Sequence, residues 1–393
     1  MNLGFYTILT AQFLSALADN ALLFAAIALL QEMSAPDWHT PLLQQFFVIS
    51  YIALAPFVGS FADALPKGRV MFISNAIKFI GSLAMLLGMP PLYAYGIVGI
   101  GAAAYSPAKY GILTEYLLPN MLVKANGWME ATTVMAIIFG AILGGYMASS
   151  DPHFAMIIIT ALYMAAAGVN IYIPRLPIDH KLPKKNPLFM LQDFWHSFKA
   201  LWRDSQGQVS LAVTTLFWGA GATLRLVVIT WAASALNFGL EQATQLMALL
   251  AVGIAVGSVF AARYIRLEES TRVLPAGIVM GIMVVAMAFV EDWRLAAGLL
   301  FIIGTLAGFF VVPLNALLQH RGHELIGAGH SIAVQNFNEH IGILLLLGAY
   351  LLMVKAEISI HLIVIMFGLF VSGCMTIIYR RYRLIKIVNP LPD

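Results

Sequence analysis

The sequence predicts an all-α membrane protein with twelve transmembrane helices in two pseudo-symmetric six-helix halves. Three observations carry this prediction. Hydrophobic residues make up 61% of the 393 residues and charged residues only 10%, whereas a soluble chain needs about 25% charged residues. The apolar residues come in blocks of roughly 18–25, enough to cross a hydrocarbon core about 30 Å thick at about 1.5 Å per residue. Landmarks also recur in chain order at a nearly constant offset of about 200 residues, the mark of a large internal repeat. Phe13, Gly59, Arg69, Pro107, Ala125 and Gly145 have counterparts at Phe217, Gly257, Arg272, Pro313, Ala328 and Gly348.

The expected spans lie at about 5–31, 42–64, 70–88, 92–117, 126–149, 153–173, 209–235, 242–264, 273–290, 293–319, 328–354 and 358–380, with ends good to a few residues. The first block, Phe5 to Leu30, is too long for the core of a cleavable signal and no basic residue precedes it, so it is expected to remain as the first span. The long polar interval, 174–208, holds Pro174, Pro177, Pro183 and Pro187. Phe189, Phe194, Trp195, Phe198 and Trp202 then alternate with Lys199, Arg203 and Asp204. This reads as a linker followed by an amphipathic helix on the membrane surface. The chain is thus expected to divide into an N-terminal bundle (1–173), a linker (174–208) and a C-terminal bundle (209–393). Such a 6+6 design implies a transporter that rocks its halves about a site near the bilayer midplane.

Basic residues in short loops set the orientation. Cytoplasmic termini place Lys67, Arg69, Lys124, Arg175, Lys181, Lys184, Lys185, Lys199, Arg203, Arg263, Arg266, Arg272, Arg321, Arg380, Arg381, Arg383 and Lys386 inside, leaving Arg294 and Lys355 outside. A net charge of +3 gives no reason to expect a nucleic-acid partner.

Enzyme readings fail. Cys374, the single cysteine, has no disulfide partner in the chain and reads as a small buried hydrophobe. His320, His323 and His330 cluster around a predicted loop, where solvated side chains are expected. No His/Cys spacing suits zinc, and neither a metal nor a cofactor is expected. The glycine run from Gly99 lies inside a span without a βαβ frame, so it reads as helix packing. Gly329-His-Ser-Ile-Ala333 lacks the strand and second glycine of a serine nucleophile elbow. Gly140/Gly144, Gly253/Gly257, Gly277/Gly281 and Gly304/Gly308 read as close helix contacts.

Six charged residues fall well inside spans: Asp19, Lys78, Lys109, Glu130, Arg225 and Glu339. Each costs about 2.5–3.5 kcal/mol at a helix centre, so each needs a partner, a wet cavity or a function. By helical rise, Asp19 and Arg225 lie roughly 21 and 24 Å into repeat-equivalent spans and Glu339 roughly 17 Å into the eleventh. A level Asp19–Arg225 pair is therefore expected. Lys78, Lys109 and Glu130 are expected on the cytoplasmic side of the first half.

Between the second and third spans the chain reads Gly59-Ser-Phe-Ala-Asp63-Ala-Leu-Pro-Lys67-Gly68-Arg69. This resembles the cytoplasmic signature of the major facilitator superfamily, with looser spacing between Asp63 and Gly68 and an intruding proline. The resemblance implies the major facilitator fold and a cytoplasmic gate formed by Gly59, Asp63, Lys67, Gly68 and Arg69. In the second half Gly257 persists, but Ala261 replaces the aspartate.

Four further blocks resemble the bacterial lysophospholipid transporter family. They are Ala11-Gln-Phe-Leu-Ser-Ala-Leu-Ala-Asp19-Asn20-Ala-Leu-Leu-Phe24, Gly101-Ala-Ala-Ala-Tyr105-Ser-Pro107-Ala-Lys109-Tyr-Gly111, Lys124-Ala-Asn126-Gly-Trp-Met-Glu130-Ala and Gly308-Phe-Phe-Val-Val-Pro313-Leu-Asn315-Ala-Leu-Leu-Gln319. The resemblance implies inward flipping of lysophosphatidylethanolamine, and of lysophosphatidylglycerol, across the bacterial inner membrane by alternating access. It implies no enzymatic activity of the chain's own. It further implies a monomer in bilayer lipid, and a functional partner at the cytoplasmic face, an acyltransferase/acyl-carrier-protein synthetase that re-acylates the arriving lipid. The family's charged positions fall on Asp19, Lys109 and Arg225; Asn20, Lys78, Glu130 and Glu339 complete the candidate path. The competing expectation is a proton-coupled transporter of a small polar solute or drug, with Asp19 or Glu339 carrying the proton. The fifth span, Gly140-Ala-Ile-Leu-Gly144-Gly145, lacks the proline of the drug/proton antiporter signature.

Overall fold

A computed structural model describes residues 2–35, 39–178 and 186–388. Lys181, Pro183, Lys184 and Lys185 of the expected linker lie outside the described residues. Those residues form thirteen α-helices: α1 (Leu3–Glu32), α2 (His39–Ala64), α3 (Lys67–Leu86), α4 (Pro91–Tyr116), α5 (Leu122–Ser150), α6 (Pro152–Asn170), α7 (Pro187–Arg203), α8 (Ser205–Ala235), α9 (Leu240–Tyr264), α10 (Leu274–Met287), α11 (Trp293–Ile326), α12 (Ala328–Lys355) and α13 (Ile360–Val388). Setting α7 aside, the repeat landmarks fall on corresponding helices: Phe13 and Phe217 on α1 and α8, Gly59 and Gly257 on α2 and α9, Pro107 and Pro313 on α4 and α11.

Among the described residues, eleven helical segments are long and apolar enough to cross a membrane. The other long helix is α4, 26 residues rich in Gly, Ala and Tyr, and its packing explains that composition. A Cβ on Gly99 would stand 3.0 Å from Ser50 Oγ on α2; one on Gly101 would stand 2.7 Å from both Ser74 O and Lys78 Cγ on α3. Helix α4 is thus held between α2 and α3, and small residues let the backbones approach. A helix walled by protein needs less apolar surface than one facing lipid.

Two compact units organise the contacts. The first comprises Met1–Leu118, Thr132–Ala200 and Gly322–Phe337; the second comprises Pro119–Ala131, Leu201–Arg321 and Asn338–Asp393. In the first, Leu22, Ala25, Tyr95, Val98, Ile159 and Tyr163 belong to one buried apolar cluster joining α1, α4 and α6. Helix α7 buries Phe194 and Leu201, while Leu188 and Trp195 are exposed. Phe194 meets the ring of Phe337 edge-on at 5.4 Å.

In the second unit the glycine pairs read from the sequence are close contacts. Cβ atoms on Gly253 and Gly257 would run into the α11 backbone at Phe301 and Thr305, and those on Gly304 and Gly308 into Leu250 O and Ile254 O of α9. Gly257→Leu is therefore expected to lower stability by more than the ~1–3 kcal/mol typical of overpacking. Gly298→Leu, at an exposed α11 position with nothing within 4 Å, is the matched control. Melting of both variants in detergent checks this; equal melting points would deny the α9–α11 contact.

Candidate functional site

Asp19 lies mid-way along α1, and the structure supplies its counter-ion from within the first unit. Lys78 Nζ of α3 stands 2.7 Å from Asp19 Oδ2, and Tyr163 of α6 donates to Asp19 Oδ1 at 2.8 Å. Lys78 also donates to Ser15 Oγ at 3.0 Å, and Ser15 in turn donates to Asn75 Oδ1 at 2.7 Å. The ammonium sits over the Tyr105 ring, 4.7 Å from its centroid. Asp19 thus has a counter-ion within its own unit, Lys78, a pair the sequence had not singled out. Depths counted separately from each helix end put Lys78 too close to the cytoplasmic side; the reach of its four-carbon stem across Gly101 makes up the difference.

The pair is unequal in exposure. The Lys78 side chain is 1% exposed and that of Asp19 24%. Lysine is therefore a buried charge held by a carboxylate, a hydroxyl and a ring face, whereas the carboxylate keeps an open side. Removing one partner of such a pair leaves an uncompensated charge.

The other predicted site residues are spread over both units. Asn20 donates to Ala16 O of its own helix at 2.8 Å, and its Cβ faces Gly140 of α5. Lys109 is half-buried with its ammonium 4.6 Å from the Tyr110 ring centroid. Glu130 and Glu339 are each 6% exposed and lie in the second unit. Arg225 lies there too, exposed on α8.

The turn between α2 and α3 builds a second charged cluster. Asp63 closes α2 and accepts four hydrogen bonds. Lys67 Nζ donates at 2.7 Å; the amides of Gly329 and His330 donate at 2.8 and 3.0 Å; His330 Nδ1 lies 2.7 Å away. Gly329 and His330 open α12, which follows Gly327 at φ 91°. A glycine in that place has no side chain to cap the helix, so Asp63 caps it from α2 and its charge meets the positive end of the helix dipole. A Cβ on Gly59 would lie 3.0 Å from His330 Cα, so glycine there permits the approach. Lys67 is completed by Glu115 at 3.0 Å. Gly68 backs onto Ile173, and Arg69 is exposed.

His330 was expected in a solvated loop. It is instead 7% exposed, because α11 runs on to Ile326 and only Gly327 separates it from α12. Its Nε2 stands 3.0 Å from Asp193 Oδ2 on α7 and 3.2 Å from Ser60 Oγ. A ring with a carboxylate at each nitrogen donates from both as an imidazolium. Sequence reading missed His330, Asp193, Tyr163 and Glu115. The usable signal for His330 was a helix start without Ser, Thr, Asp or Asn at the cap.

The hydrogen bond from His330 holds the Asp193 carboxyl below its ordinary range, helped by the charges of His330 and His196 against partial burial and Asp63. A lowered folded value means that this anchor is complete above the unfolded value of about 3.9 and is lost as pH falls through the folded one. Asp193→Asn is expected to lower the amide protection factors of α7, with exchange corrected for its intrinsic pH dependence, at neutral pH and to remove their further fall on acidification. Unchanged exchange in the variant would exclude Asp193 as the anchor.

Comparison with known proteins gives this geometry its family. Residues 8–346 match the Major Facilitator Superfamily. The lysophospholipid transporter LplT of Serratia proteamaculans is 49% identical over 350 residues, 88% of each chain. That of Yersinia enterocolitica is 46% identical over 359 residues, 91% of this chain and 89% of the other. Among solved structures, an Escherichia coli fucose:proton symporter variant aligns over 97% of this chain and 98% of its own with a TM-score of 0.78 at 13% identity. A bacterial homologue of the iron transporter ferroportin, in an outward-facing state, aligns over 98% and 100% with a TM-score of 0.76 at 15% identity. At these identities the structural likeness speaks for the fold alone. The chain belongs to the Major Facilitator Superfamily and, within it, to the lysophospholipid transporter family.

Proposed function

We propose that this protein moves lysophosphatidylethanolamine and lysophosphatidylglycerol from the outer to the inner leaflet of a bacterial inner membrane. Both termini face the cytoplasm, and transport proceeds by alternating access of halves 1–173 and 209–393. The observation that carries the substrate class is identity approaching one half, along most of the chain, with transporters named for lysophospholipids. The charge set supports it. Asp19 offers a partly open carboxylate to a headgroup amine, while Arg225 is an exposed guanidinium with no ion pair among the described residues. Arginine suits phosphate because its planar donor fork binds two oxygens at once. Lys109, Glu130 and Glu339 continue the polar path, and the Asp63 cluster serves as the cytoplasmic gate.

A lipid arriving in the inner leaflet is consumed by a cytoplasmic-face acyltransferase/acyl-carrier-protein synthetase, so acylation itself draws transport inward. The test is re-acylation of added lysophosphatidylethanolamine in spheroplasts lacking their native transporter. Supplying this chain should restore diacyl product; unchanged product would overturn the substrate assignment.

A further inference from the structure

A cavity of about 360 Å³ lies where α3 begins and α6 ends. Arg69, Arg175, Gly68 and Asn170 line it beside Phe72 and Ile171. Both arginines are exposed, and neither is in an ion pair among the described residues. Asn170 is 2% exposed, and neither its side-chain oxygen nor its nitrogen has a hydrogen-bond partner among the described residues. A buried amide left in that state costs free energy unless something else satisfies it.

The backbone adds to this. Helix α3 is 20 residues long and starts after Pro66 with no side-chain cap, so its first amides and its positive dipole end are available at Lys67 and Gly68. The competing negative end, at the close of α6, is already used: Gly168 O, Val169 O and Asn170 O accept from Ile171, Tyr172 and Ile173. Two guanidiniums and an uncapped helix start give the cavity a positively charged lining. Its lining includes exposed apolar side chains, with Phe72 at 38% and Ile171 at 67%.

We propose that this cavity binds the phosphate headgroup of an anionic phospholipid, separately from the transported lipid. Arg69 and Arg175 clamp the phosphate oxygens, and the acyl chains lie along Phe72 and Ile171. Under the orientation proposed above, the site opens to the cytoplasmic leaflet, where basic pockets between helices take such headgroups. The first preference for arginine over lysine follows from the bidentate fork.

The experiment is lipid binding to the purified full-length protein in detergent, read by native mass spectrometry and by melting shift. Its probes are phosphatidylglycerol, phosphatidylcholine and inorganic phosphate. Phosphatidylglycerol should bind and raise the melting point, phosphatidylcholine should not, and Arg69→Gln/Arg175→Gln should weaken phosphatidylglycerol at least tenfold. Because both arginines are exposed, this variant should fold; Arg69→Lys/Arg175→Lys should keep part of the affinity. A shift from inorganic phosphate equal to that from phosphatidylglycerol, and lost in the same variant, would keep the anion site but overturn its assignment to lipid. Equal phosphatidylglycerol binding by wild type and the glutamine variant, or no preference over phosphatidylcholine, would overturn the site altogether. Neither result depends on transport of lysophospholipid.

Discussion

Asp19→Ala is expected to abolish lysophospholipid transport and to destabilise the protein by about 3–5 kcal/mol, the cost of leaving one member of a buried ion pair uncompensated. The loss falls on Lys78, which is 1% exposed and is left with Ser15 Oγ and the Tyr105 and Tyr163 ring faces, none of them charged, once the carboxylate is gone. Stability and transport should separate in a double variant. Asp19→Ala/Lys78→Met removes both charges and fills the space of the lysine stem, so melting should return most of the way to wild type. Flux should stay absent, because the carboxylate proposed to meet the headgroup amine is still missing. Detergent melting and spheroplast re-acylation, measured on the same three proteins, check both halves. If the double variant recovered flux, the pair would be structural only.

Asp63→Ala should have the next largest effect. It removes the acceptor of four hydrogen bonds at once, from Lys67, from the Gly329 and His330 amides and from His330 Nδ1. Loss of a helix cap alone costs about 0.5–2 kcal/mol, and each charge-assisted bond about 1.5–3 kcal/mol. Residual pairing softens the total, because Glu115 still holds Lys67 and Asp193 still holds His330. A net loss of about 3–5 kcal/mol with at least a tenfold fall in transport is expected. Asp63→Asn keeps the amide acceptor but not the charge, so it should fall between. Faster amide exchange at the start of α12, seen by mass spectrometry, would localise the effect; exchange unchanged from wild type in Asp63→Ala would contradict the capping role.

These two clusters differ in how far the sequence revealed them. The spans were plain because lipid demands long apolar blocks, and the glycine pairs were plain because close helix approach demands small residues. Gly253, Gly257, Gly304 and Gly308 interlock α9 with α11 as their spacing implied. The Asp63 motif was legible as a motif, but the group it caps was not. Its target lies more than 260 residues away in the chain, and nothing local to Gly329 names a partner. Asp19 was marked by its cost in a membrane, yet its pairing with Lys78 was not legible. Depth along a helix is countable; which faces of α1, α3 and α6 meet is set by packing, and Tyr163, Ser15 and Lys78 converge only through it.

Arg225 and Lys109 differ in the effect expected of their loss. Arg225→Ala should abolish flux with little change in melting, since the residue is exposed and holds no ion pair among the described residues. Lys109→Ala should shift preference away from lipids with anionic heads.

The most direct measurement is inward movement of labelled lysophosphatidylethanolamine in vesicles reconstituted with the purified protein, beside protein-free vesicles and the Asp19→Ala variant. The account predicts movement that needs the protein, is lost in the variant and is undiminished when the pH gradient is collapsed. Movement no faster than in protein-free vesicles, or retained in full by Asp19→Ala, would contradict it.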